Sequence, residues 1–191
     1  RGDLPLHWLT GRMDADTFWA QHDPAAYGGC NLVIGDFQRG QWVWASNRAS
    51  TSNSNTSNWQ TRKLAPGIYG LSNALLDTPW PKTLALKAAM HTALAQAHSS
   101  GQEEDLSETL WAALARPERA PLAELPQTGV PLALELALSS AHVDIPERDY
   151  GTRCSTLMWV DTSTGPETFK ATLWEKTIGG DASRLQWALQ T

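Results

Sequence analysis

The stretch GIYGLSNALLDTPWPK, Gly67 to Lys82, ends an apolar run on Leu71-Ser72-Asn73. A side-chain amide at that place offers two N–H donors without a charge. Aimed from a strand end into a cleft, it would stabilise the oxyanion of a tetrahedral intermediate, an effect worth about 3 kcal/mol for one such donor. Asn73 is therefore a candidate catalytic residue. The residues after it would fix its position. Asp77 and Thr78 suit a side-chain-to-backbone turn, and Pro79 drives Thr78 into extended geometry. Pro81 suits a first helical position, where the missing N–H costs nothing. The competing reading makes Asn73 a turn residue that tolerates left-handed geometry. Tyr69 and Ser72, on the same run, are candidate ligand contacts.

Arg153 is the second candidate catalytic residue. It stands between Thr152 and Cys154, at the start of a mostly apolar run. A strand-end guanidinium can grip a carboxylate in bidentate fashion and hold a site together. It can equally form an ordinary ion pair with Glu147 or Asp149. Cys154 would need a lowered pKa to act as a nucleophile, and strand alternation turns Arg153 to the opposite face. Cys30 and Cys154 fit no metal or redox spacing. His91 and His98 are two helical turns apart, without a carboxylate or cysteine at ligand spacing, so no metal site is expected.

Ten tryptophans are an excess for 191 residues. They can line a ligand cavity or fill a core and a sheet face. Trp44 is the one taken as a candidate ligand contact.

The elements that must position these residues follow from patterning. A helix is expected from Asp14, as N-cap, to about Ala26, after a shorter helical turn at Leu4 to Leu9. CNLVIGD and QWVWASN read as a hairpin joined by FQRG, with Trp42 and Trp44 on one face and Val43 on the other. Ser46 to Asn58 is small and polar throughout, and reads as an exposed mobile loop carrying one formal sequon at Asn55. Thr61 to Asn73 reads as two short strands around a Pro-Gly turn. Lys82 to Ser100 is the clearest helix, with Leu84, Ala88, Met90, Leu94 and Ala97 near one stripe. Glu103 to Ala115 and Val130 to Ser140 follow as helices, separated by a proline-bearing connection at Arg116 to Thr128. Gly151 to Asp161 and Glu167 to Glu175 read as strands around a turn at Ser163 to Pro166. Gly179 to Thr191 reads as a short helix or a frayed tail. Strands, then helices, then strands make an α+β order.

The bulk numbers bound the function. The chain is 41% hydrophobic and 18% charged, an ordinary globular composition, and is expected to form one domain over 1–191. A net charge of −5 argues against nucleic acid as a partner. No apolar run reaches spanning length, so no membrane span is expected. Two cysteines without a disulfide framework point to a cytoplasmic location.

Four segments are familiar together: NLVIGD…WVWASNR, LAPGIYGLSNALLDTPWPK, LPQTGVPLALELALSSAHV and YGTRCSTLMWVD. They resemble the NRDE family, also called the transport and Golgi organisation protein 2 family, in order from residue 1 to about 175. GLSNALLDTPWPK and YGTRCST are the most specific pieces. The resemblance implies an N-terminal-nucleophile (Ntn) hydrolase-like α-β-β-α sandwich, two antiparallel sheets packed face to face between helical layers. It also implies a segment upstream of Arg1 that carries a cysteine after the initiator methionine and the Asn-Arg-Asp-Glu signature. SNR at Ser46 to Arg48 lacks the acidic pair and is not that signature. In penicillin acylase-like and bile-salt-hydrolase-like enzymes of the broader fold, an asparagine after a Leu/Met-Thr-Asn segment donates to the oxyanion. An arginine near a Ser-rich strand orders the nucleophile. Asn73 and Arg153 are similar to those positions.

An N-terminal nucleophile uses its own α-amine as base and must be the first residue, which Arg1 cannot be. The leading expectation is thus an amide or acyl hydrolase, or an acyltransferase, whose nucleophile lies upstream. The alternative that the resemblance implies is a non-catalytic carrier of a haem or lipid-like ligand, and a third reading is a structural relative without activity. The partner is a small-molecule substrate or apolar ligand, with no cofactor. Homo-oligomerisation, or pairing with the upstream segment, would cover open sheet edges.

Overall fold

The computed structural model describes residues 2–48, 58–100, 103–161, 168–180 and 182–190. Most of the polar loop, its sequon and the expected turn at 163–166 lie outside the described residues. The chain divides into two compact units, the first made of Arg1–Gly67 and Leu71–Leu76, the second of Ile68–Gly70 and Asp77–Thr191. Both mix helices with antiparallel sheet, so the α+β class holds.

The first unit opens with α1 (Asp3–Thr10) and α2 (Ala15–Gln21). Asp14 caps α2 as its sequence position predicts, accepting the Thr17 N–H at 2.8 Å. The helix is shorter than expected. Pro24 lacks the N–H that an α-helical ladder needs, so the chain turns at His22 and re-enters as a 3-10 turn, Pro24–Ala26, capped by Asp23. A meander follows: β1 (Asn31–Asp36), β2 (Gln41–Ser46) and β3 (Gln60–Lys63). Its first turn closes because Asp36 accepts the Arg39 N–H at 3.0 Å and its guanidinium at 2.6 Å, while Gly40 takes a positive φ of 60°.

Register pairs Leu32 with Ala45 and Ile34 with Val43. These residues therefore share one sheet face and form the core with Leu4, Ala15, Phe18 and Trp19. Phe18 is fully buried and meets Trp8 and Trp19 edge-on, at 5.4 and 4.9 Å between centroids, the arrangement that the ring quadrupoles favour. The opposite face carries Trp42 and Trp44, as alternation predicts. Trp42 lies over Gly35, where a Cβ would run into its ring.

The second strand expected after Pro66-Gly67 does not form. A strand needs its backbone groups in a ladder, and both groups of Gly70 go instead to Asp77. The Gly70 N–H donates to Asp77 Oδ1 at 2.9 Å, and the Gly70 carbonyl accepts the Asp77 N–H at 2.7 Å.

The second unit contains α3 (Pro81–Ser100), α4 (Glu103–Leu114) and the short α5 (Leu132–Ala137). Pro81 is the first residue of α3, as predicted. The expected stripe on α3 holds at Met90 and Ala97 and fails at Leu84 and Leu94. Leu84 and Leu94 are 53% and 40% exposed, while Ala93 is fully buried. Met90, Ala93 and Ala97 form the packed face, against Leu106 and Leu110 of α4. A small residue at the contact lets the helix axes approach closely. After α5 come the two-residue strands β4 (Asp144–Ile145) and β5 (Tyr150–Gly151).

A second meander ends the chain: β6 (Cys154–Asp161), β7 (Thr168–Thr177) and β8 (Ala182–Gln190). Leu157 and Trp159 of β6 pack against the α3–α4 cluster. The last segment is neither helix nor tail. Its Leu185 and Trp187 alternate with Arg184 and Gln186, a period of two, and β7 supplies the hydrogen-bonding partner.

Candidate functional site

In the first unit the site begins at Asn31, on the same sheet face as Trp44. Its Oδ1 accepts the Trp44 indole N–H at 3.2 Å, and its Nδ2 donates to the Ala74 carbonyl at 2.9 Å. One amide therefore satisfies a buried indole and tethers the segment 71–76 to the sheet. Trp44 is only 4% exposed, and its link to that segment runs through the Asn31 amide. Ser72 is half-buried, and Asn73, next to the tethered Ala74, is exposed. Its amide can donate to an incoming carbonyl oxygen. The left-handed turn role belongs elsewhere. Among the described residues the non-glycine positive φ angles fall at Asp77, Gln127 and Asp149, so Asn73 is not such a position.

In the second unit Asp77, at φ 61°, organises the turn. Its Oδ1 holds the Gly70 N–H and, at 2.6 Å, the Lys87 ammonium one helical face along α3. Gly70 is required at this closure, because a Cβ there would fall on the Thr83 methyl. Tyr69, beside it, is 37% exposed.

Arg153 lies one residue before β6 and is exposed. Its carbonyl accepts the Ile178 N–H at 3.0 Å, which ties the start of β6 to the end of β7. The alternative ion pair with Glu147 or Asp149 is not formed. Those residues sit in the 3-10 turn Pro146–Arg148 and its left-handed cap, and among the described residues no carboxylate is within ion-pair distance of the guanidinium. Cys30 and Cys154 are both free thiols, half-buried and exposed.

Trp44, Ser72 and Asn73 thus belong to the first unit, and Tyr69 and Arg153 to the second. Sequence reading missed Asn31, because nothing in a strand-starting asparagine says which loop will return to it. It also missed Lys87, which reads as one more polar residue on a helix.

A model of the family described as Transport and Golgi organisation 2 matches residues 1–179, across both units. The chain belongs to that family. It is 30% identical over 192 residues to the Transport and Golgi organization protein 2 homolog of Bos taurus, covering 97% of this chain and 65% of that protein. It is 27% identical over 198 residues to the Transport and Golgi organization 2 homolog of Mus musculus, covering 100% and 68%. The Homo sapiens homolog aligns over 166 residues at 27% identity, covering 84% and 57%. The chain spans less than two thirds of the Bos taurus and Homo sapiens relatives and about two thirds of the Mus musculus one. The resemblance carried by the four sequence segments is borne out.

Proposed function

We propose that this family member transfers or hydrolyses an acyl or amide group by N-terminal-nucleophile chemistry. The observation that carries the reading is the exposed Asn73 amide beside Ala74, whose carbonyl is held by Asn31. An attacking thiol from outside these 191 residues adds to the substrate carbonyl, and its own α-amine takes the thiol proton. Asn73 Nδ2 donates to the oxyanion as it develops. The amine then returns the proton to the leaving group, and water or a second acceptor releases the acyl group.

The layering supports the α-β-β-α sandwich. In the second unit, α3 and α4 cover the Leu157 and Trp159 face of β6-β7-β8. Met158, Leu185 and Trp187 stay exposed, and the register Met158–Leu173–Leu185 puts them on the opposite face. A second sheet would bury that face. Burial of Trp19 and Trp44, with Trp8 and Trp59 packed on the first core, favours acyl transfer over a carrier of a haem or lipid-like ligand, since these rings fill space rather than line it. No helix among the described residues is long and apolar enough to cross a membrane. Two free thiols support a cytoplasmic location.

The test is incubation of the full-length protein with a cysteine-directed acylating probe. Labelling at an N-terminal cysteine is expected, and Asn73→Ala should slow it about a hundredfold at an unchanged melting temperature. No labelling, or an Asn73→Ala rate equal to wild type, overturns the reading.

A further inference from the structure

The second unit holds a cavity of about 420 Å³ that acyl transfer at Asn73 does not use. Its apolar lining includes Ala85 and Leu86 of α3 and Ala113 of α4. Its rim carries Lys82, Arg116 and Arg119 against one carboxylate, Glu118. Three cations less one anion leave the rim at +2, in a chain whose net charge is −5.

The loop that carries both arginines is pinned at either end. The Arg116 carbonyl accepts the His142 N–H at 2.9 Å. The Ala120 N–H donates to Ser139 Oγ at 2.9 Å, and that buried hydroxyl donates to the Leu136 carbonyl at 2.7 Å. Lys82 is half-buried in the first turn of α3, and its Nζ donates to the Leu138 carbonyl at 2.8 Å. Burial holds its ammonium below the usual lysine range. Among the described residues no carboxylate is within ion-pair distance of Lys82, Arg116 or Arg119. A partly desolvated cation without a counter-charge is costly, and an anion seated on it would offset that cost.

We infer that this cavity binds a small organic anion: a carboxylate or phosphate head group met by Lys82, Arg116 and Arg119, with a short apolar body on Ala85, Leu86 and Ala113. The volume falls in the small-molecule range of about 300–1,000 Å³ and exceeds what a bare ion fills. Guanidinium groups suit both oxyanions. The site stands independently of the acyl-transfer reading.

Calorimetric titration with hexanoate and with hexyl phosphate tests it, with acetate and inorganic phosphate as head-group controls. At least one six-carbon probe should bind saturably, about tenfold or more tighter than its own head group. The better of the two identifies the head group. Arg116→Ala/Arg119→Ala should weaken that binding about tenfold or more, and raised salt should weaken it further. Those two guanidinium groups make no hydrogen bond among the described residues, so the double variant should melt as wild type does. Lys82→Met, which also loses the Leu138 tie, is the second variant and should weaken binding likewise. No saturable binding of either probe overturns the inference, as does unchanged binding in the folded double variant. Head-group controls binding as tightly as the six-carbon probes would also overturn it, by showing an ion site without an apolar subsite.

Discussion

Lys87 Nζ stands 2.6 Å from Asp77 Oδ1, the same oxygen that accepts the Gly70 N–H at 2.9 Å. One carboxylate thus closes the turn that follows the apolar run and fastens that turn to α3. Both side chains are about 30% exposed, at 31% and 28%, so solvent screens part of the pair.

Asp77→Ala removes the acceptor and the ion pair and leaves an alanine at positive φ. It should destabilise the protein by about 2–3 kcal/mol in urea unfolding. Asp77→Asn keeps an acceptor and a residue tolerant of that φ, and Lys87→Met removes only the pair. Each should cost about 1 kcal/mol or less. If Lys87→Met matches Asp77→Ala, the backbone closure contributes nothing.

Asn31 works in two directions, and its two functions separate by substitution. Asn31→Ala leaves the Trp44 indole and the Ala74 carbonyl without partners, at a cost of about 1–3 kcal/mol. Asn31→Asp keeps the acceptor for the indole and loses the donor to Ala74, so it should cost less. On the acyl-transfer reading it should still slow acylation, because Asn73 loses its neighbour's tether. Indole fluorescence checks the first function and the probe reaction checks the second.

Acid should loosen the first unit. Thr17, through its backbone N–H and then its hydroxyl, holds the Asp14 carboxyl below its ordinary value of 3.8. Burial pushes the Asp36 carboxyl up, but the Arg39 backbone N–H and guanidinium outweigh it and leave that group below 3.8 as well. A carboxyl depressed in the folded state binds protons more weakly there than in the unfolded chain. Its stabilisation is therefore complete above the ordinary value and is lost as pH falls through the folded one. Unfolding free energy should fall from about pH 5 to about pH 2, with a shallower slope in Asp36→Asn.

The packed face of α3 separates two expectations directly. Leu84→Ala and Leu94→Ala, at exposed positions, should each change stability by about 0.5 kcal/mol or less. Ala93→Leu, at a fully buried position, should cost about 1–3 kcal/mol through overpacking. A periodicity-based stripe through Leu84 and Leu94 demands the reverse order, and thermal melts of the three variants decide between them.

Local chemistry was legible where one residue's own conformational preference sufficed. Asp14 reads as a cap, Pro81 as a helix start, and the β1–β2 hairpin as a hairpin, because each depends on neighbours within four or five positions. Family membership was legible for a related reason: GLSNALLDTPWPK and YGTRCST are local strings. The side of α3 that packs was legible only in part, at Met90 and Ala97. Leucines and alanines recur all round that helix, so their spacing names no single face, and only the position of Leu106 and Leu110 selects Ala93. The end of the chain was misread because a strand owes its stability to a ladder with another strand, here β7.

The candidate site divides along the same line. Sequence alone marked Asn73, from an amide at the end of an apolar run, and Arg153, from a charge at the start of another. Tertiary structure decided what holds the first, a hydrogen bond from Asn31 across 43 residues of chain, and removed the alternative ion pair for the second. It alone gathered Lys82, Arg116 and Arg119 around one cavity. Bonds within a turn are governed by backbone geometry that each residue carries with it. Contacts between distant residues depend on which faces meet, and that is settled by the burial of the whole chain at once.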